Sequence, residues 1–95
     1  MKVVITLEFL EPFSDITGQS RIRLGLEGSM SLKELCTYLS EKYGGEFSDR
    51  LIKRGRLAEG MMVLVNGKGV NNLDGLRTPI NPGARIVFMR TLSGG

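Results

Sequence analysis

Histidine is absent from these 95 residues, and there is one cysteine. A zinc site of the usual kind lacks its ligands. Serine–histidine and cysteine–histidine catalysis lack their base. A lone cysteine makes no internal disulfide, so nothing points to an oxidising compartment. No apolar run approaches the ~20 residues of a membrane span. An acidic residue arrives already at Glu8, too early for the apolar region of a signal peptide, so the expected location is the cytoplasm. No phosphate-cradling glycine motif is present, because Gly67-Lys68-Gly69 lacks P-loop spacing. The chain is therefore expected not to be an enzyme. It reads as a substrate of another protein or as a binding module, with no metal site and no cofactor of its own.

What is present is the material of one small domain. Apolar residues make up 41% of the chain, an ordinary globular share that argues against disorder. Thirteen Lys and Arg face ten Asp and Glu, a net charge of +3. The densest basic cluster is Arg50, Lys53, Arg54 and Arg56, with Asp49 and Glu59 nearby. It reads as a solvated face, with an acidic partner surface or an RNA backbone as the other reading. No aromatic residues are interleaved with it to stack bases, so direct nucleic-acid binding is not expected.

The hydrophobic period sets the element order. Val3, Ile5, Leu7 and Phe9 alternate with polar residues, which predicts a strand over 2–10. Val4 and Leu10 on its other face predict partial cover on both sides. Residues 14–19 carry turn chemistry. Ile22, Leu24 and Leu26 alternate again and predict the second arm of an antiparallel hairpin. The period then changes. Leu32, Leu35, Cys36, Leu39 and Tyr43 form one helical stripe and predict a helix over 32–43. Ser31 and Glu34 have capping-box spacing, Met30 is placed to staple against Leu35, and Gly44-Gly45 ends the helix. Cys36 lies on the buried stripe and reads as a core residue.

Residues 46–60 read as a surface connection with a helical turn. Met61–Val65 is an apolar strand, and Asn66-Gly67 is a strong hairpin signal leading to a short edge strand over 68–70. A loop follows, with Leu76 and Ile80 inward, and Asn81-Pro82-Gly83 is a turn. Residues 84–91 form the last strand. One helix must cover four or five strands, and a crossover places the last strand parallel to the first. The expected fold is an α+β β-grasp, or ubiquitin-like, domain over residues 1–91, with a tail over 92–95. An α+β sandwich of different strand order is the alternative.

The tail reads Leu92-Ser93-Gly94-Gly95. Read as a C-terminus, Gly-Gly gives a carboxylate on a thin stalk that enters narrow sites closed to bulkier residues. That carboxylate, with a reference pKa of about 3.5, is anionic at neutral pH and can attack an activated phosphate.

These segments resemble the MoaD family of ubiquitin-like sulfur carriers: Val63-Leu64-Val65-Asn66-Gly67, Gly75-Leu76-Arg77-Thr78-Pro79, Gly83 before a strand, and the final Leu92-Ser93-Gly94-Gly95. The ending is also similar to that of the eukaryotic ubiquitin-related modifier, which donates sulfur to tRNA. One turn departs from the pattern. Asn81-Pro82-Gly83-Ala84, followed by Arg85, stands where MoaD-like proteins often carry Asp-Gly-Asp, and it exchanges acidic groups for neutral and basic ones.

The resemblance implies a cycle. A ubiquitin-activating-type adenylating enzyme, using ATP and magnesium, converts the Gly95 carboxylate to an acyl-adenylate. A sulfur donor then displaces AMP and leaves a thiocarboxylate. The acceptor is a molybdopterin precursor, with this chain as the small subunit beside a molybdopterin synthase large subunit, or a tRNA. Gly94 gives the tail access, and Leu92 and Met89 are the expected apolar docking anchors. Ordering four tail residues costs roughly 1–2 kcal/mol each, which body contacts must offset. Two other functions remain open. A protein modifier would pass the same acyl group to a target lysine, and a non-covalent domain would not need the tail.

Overall fold

The computed structural model describes residues 2–91. Strand β1 (Lys2–Phe9) runs up the molecule and meets a short helix, α1 (Phe13–Thr17), before β2 (Arg21–Glu27) returns antiparallel to it. Alternation puts Ile5, Leu7 and Phe9 into the core. Val4 and Leu10, expected to be partly covered, are 48% and 46% exposed, because no element packs on that face. The turn expected over 14–19 is helical instead. Phe13 is fully buried and pulls the segment onto the core, and Gly18 closes α1 in the left-handed conformation (φ 73°).

The two-residue strand β3 (Met30–Ser31) leads into the main helix, α2 (Leu32–Tyr43), with the predicted bounds. Both halves of the capping box form. The Glu34 N–H donates to Ser31 Oγ at 3.1 Å, and the Ser31 N–H donates to Glu34 Oε1 at 2.9 Å. Those bonds hold the Glu34 carboxyl below its usual pKa. Leu32, Leu35, Cys36 and Leu39 form the buried stripe. Burial pushes the Cys36 thiol up to about 12 and leaves it a packing group. Gly44 ends the helix at φ 109°, ψ 156°, an extended positive-φ conformation that glycine adopts without strain.

Helix α3 (Glu46–Leu51) follows, then a miniature hairpin of β4 (Ile52–Lys53) and β5 (Arg56–Leu57). Strand β6 (Met61–Val65) turns through Asn66-Gly67 into β7 (Lys68–Gly69). Two single 3-10 turns, Val70–Asn72 and Gly75–Arg77, lead to β8 (Pro79–Ile80), which pairs with β3. The turn at 81–84 closes with the Ala84 N–H on the Asn81 carbonyl, at 3.0 Å. Strand β9 (Arg85–Arg90) is the last regular element among the described residues.

The main sheet has the order β2-β1-β9-β6-β7. Strand β9 is central, parallel to β1 and antiparallel to β6. A mixed five-stranded sheet with one main helix on it is the expected β-grasp. All four phenylalanines meet between the layers. Phe47 of α3 lies 5.2 Å from Phe13, 5.3 Å from Phe88 and 5.9 Å from Phe9, centroid to centroid. The helices thus cover one face of the sheet and leave the other open.

Candidate functional site: the tail root and the open sheet face

Strand β9 carries the chain to its last described residue, Thr91, and the surroundings of that point are fixed by backbone bonds. The Thr91 N–H donates to the Gly60 carbonyl at 2.8 Å. Beside it, the Leu10 N–H donates to the Phe88 carbonyl at 2.9 Å. Met61 pairs with Arg90 across the ladder, and Arg90 forms a loose ion pair with Glu11 at 3.9 Å. A tail leaving here starts from the central strand, the part of a sheet held by neighbours on both sides. The proposed site residues Gly94 and Gly95, and the docking residue Leu92, lie outside the described residues. Met89 is described. It is half-buried on the open face, opposite Met62 of β6.

Met89 belongs to an apolar surface that the sequence reading did not assemble. Alternation sends Val87 and Met89 of β9 and Met62 and Leu64 of β6 to the open face, where they pair as Val87–Leu64 and Met89–Met62. Exposed Val4 of β1 and Leu10, just beyond its end, lie on the same face. The signal was available. Met61–Val65 and Ile86–Met89 are apolar at consecutive positions, so each strand has apolar residues on both faces, yet a single main helix can cover only one.

The other half of this face is charged. Glu8 accepts from Arg85 Nε at 2.5 Å, and Arg21 lies 3.5 Å from the same carboxylate oxygen. The hydrogen bond from Arg85, aided by both positive charges, holds the Glu8 carboxyl below its usual value and raises that of Arg85. Glu8 is thus an acceptor for two arginines, and Arg85 is locked across β1 and β9. Arg23 stands on the same face with no ion pair among the described residues. The open face is therefore an apolar half bordered by arginines. Among the described residues no group of three acidic, cysteine or histidine side chains is placed to hold a metal ion. No described helix is long and apolar enough to cross a membrane.

Comparison with known proteins bears on what this body is. The model of the ThiS family matches residues 8–95, nearly the whole chain and through the Gly-Gly segment. The chain belongs to the ThiS family. Small archaeal modifier protein 3 of Haloferax volcanii is 28% identical over 91 residues, covering 96% of this chain and 98% of that protein. Among solved structures, the HVO 2177 protein of Haloferax volcanii superposes with a TM-score of 0.81 at 26% identity, over 99% of this chain and 88% of that one. Urm1 from Trypanosoma brucei superposes with a TM-score of 0.78 at 26% identity, over 99% and 97%. The chain is thus a ubiquitin-like protein of the sulfur-carrier and modifier group.

Proposed function

We propose that this protein is a cytoplasmic sulfur carrier, activated at the Gly95 carboxylate by a ubiquitin-activating-type enzyme that uses ATP and magnesium. The carboxylate attacks the α-phosphate of ATP. Pyrophosphate leaves, and an acyl-adenylate remains. A sulfur donor then displaces AMP and leaves a thiocarboxylate. A carboxylate is a poor electrophile until it carries a good leaving group, and AMP is one. The open face supplies the docking area, with Met89 and Leu92 as apolar anchors. The observation that carries this reading is the family match running through Gly94-Gly95, joined to a central strand that ends at a fixed root. Two relatives of 26–28% identity are a modifier and Urm1. They favour an acceptor of the kind the ubiquitin-related modifier serves, tRNA, over a molybdopterin precursor and a synthase large subunit.

The test is ATP–pyrophosphate exchange with the cognate adenylating enzyme. Deleting Gly95 moves the carboxylate back by about 3.5 Å. Exchange should then fail, since a 1 Å misplacement can cost on the order of a hundredfold. Gly94→Ala should fold normally and slow activation through its added Cβ. Normal exchange by the Gly95 deletion sinks the proposal. The name of the Haloferax relative favours a second reading, attachment to target lysines. Intact mass of the native protein separates the two. An oxygen-to-sulfur increase marks the carrier, and isopeptide-linked species mark the modifier.

A further inference from the structure

The β4–β5 hairpin plays no part in the open face or the core ladder, and its composition is unusual. Its two-residue turn is Arg54-Gly55, with φ of 53° and 77°. Both central residues are left-handed, the geometry that favours Asn-Gly or Asp-Gly. The chain's other tight hairpin has the same geometry and uses the favoured pair, Asn66-Gly67, at φ 51° and 85°. At the first hairpin an arginine occupies the strained position instead. That choice costs stability and gains a cation at the tip.

Three cations gather there. Lys53, Arg54, Arg56, Leu57, Ala58 and Glu59 line an open groove of about 440 Å³. Glu59 is the single carboxylate among them. None of Lys53, Arg54 and Arg56 forms an ion pair among the described residues, whereas Arg50, one turn earlier, is loosely paired with Glu46 at 3.9 Å. The hairpin is anchored. Ile52 and Leu57 pack against the core, and the Ala58 N–H donates to the Leu51 carbonyl at 2.8 Å.

The groove adjoins the tail root through the backbone. Its Ala58–Glu59 wall runs straight into Gly60, whose carbonyl accepts from Thr91, and the Met61 N–H donates to the Ala58 carbonyl at 3.0 Å. Arg56 lies four residues from Gly60, at most about 14 Å of extended chain. A protein that engages the chain at Thr91 therefore has these side chains close by. Leu57 and Ala58 contribute apolar lining to the groove, and no aromatic ring lines it to stack a base, which favours a protein over a nucleic acid.

We propose that the basic hairpin is a docking element for the carboxylate-rich rim of the protein that receives the tail. Arginine suits that role because its planar fork meets a carboxylate with two hydrogen bonds. Exposed charge pairs of this kind act mainly by steering encounter and fixing orientation, and they weaken with salt. The receiving protein in the activation step is the adenylating enzyme, so this inference rests on the function proposed above.

The experiment compares wild type with R54E/R56E, using that adenylating enzyme. Direct binding is read at several ionic strengths, and KM and kcat for the carrier are read by ATP–pyrophosphate exchange. The charge reversal should weaken binding and raise KM at least about tenfold at low salt, flatten the salt dependence, and leave kcat unchanged. Far-UV and near-UV spectra matching wild type show that the fold persists. Equal KM and equal salt dependence in the two proteins overturn the proposal, as does wild-type binding that ignores salt. Binding of bulk tRNA by wild type, lost in R54E/R56E, also overturns it and assigns the hairpin to RNA. The Gly95 deletion keeps the two proposals separable. It retains the hairpin and should bind the enzyme with the wild-type salt dependence while giving no exchange.

Discussion

At the scale of single residues, the open face is organised by one carboxylate. Glu8 sits between Arg85 and Arg21 with its side chain 17% exposed, and the first contact is the hydrogen bond from Arg85. Because the folded protein lowers the Glu8 pKa, this group stabilises the native state while it is ionised. The contribution is fully present above the ordinary carboxyl value of about 4.5 and disappears as pH falls through the lowered folded value. Glu34, held by Ser31, acts in the same direction. Glu8→Gln removes the ionisable partner and keeps the shape. Its stability deficit, read from urea midpoints, should be constant near neutral pH and shrink towards zero in acid. Parallel curves for the two proteins would show that the Arg85 contact contributes no charge-dependent stability.

At the scale of elements, what could be read from the chain depended on how many independent signals each segment carried. Helix α2 had an apolar stripe, a two-sided cap and a glycine stop, and its bounds were legible to the residue. The long strands were legible from period two. Helix α1 was not, because its main anchor, Phe13, sits among turn-forming polar residues, and burial of that ring outweighs local preference. The β4–β5 hairpin was hidden for two reasons. Strands of two residues are too short to show a period, and Arg54 stands where the turn signal would be Asn or Asp. The Gly-Gly segment was legible as a motif, but the open apolar face was not, since it arises from which sheet face the helices leave bare. The hairpin's strain gives a direct prediction. Arg54→Asn should raise stability by up to about 1 kcal/mol, because asparagine tolerates the left-handed region. The same substitution should weaken salt-dependent docking. A variant that gains stability and keeps full docking would show that the arginine was not retained for its charge.

At the scale of the whole molecule, the question is whether the segment 46–60 is an attachment or part of the core. The ring of Phe47 answers it geometrically, since it touches Phe9 of β1, Phe13 of α1 and Phe88 of β9. Its edge-to-face angles with Phe9 and Phe88, 85° and 75°, are favoured aromatic geometries. The Ser40 and Ser48 hydroxyls also hydrogen-bond, tying α2 to α3. The segment that bears the basic hairpin is thus held by the ring cluster that holds the central strand. Phe47→Ala should therefore cost about 3–5 kcal/mol, a large share of the roughly 5–15 kcal/mol available to a small domain. Phe47→Leu keeps most of the volume and should cost about 1.5 kcal/mol or less. The discriminating readout is amide hydrogen exchange in Phe47→Leu. If the cluster is one cooperative unit, protection at Ala58 and at the amides of β9 should fall together. Loss confined to residues 46–60, with β9 unchanged, would make the segment a separable attachment. The hairpin would then no longer be held in a fixed position beside the tail root.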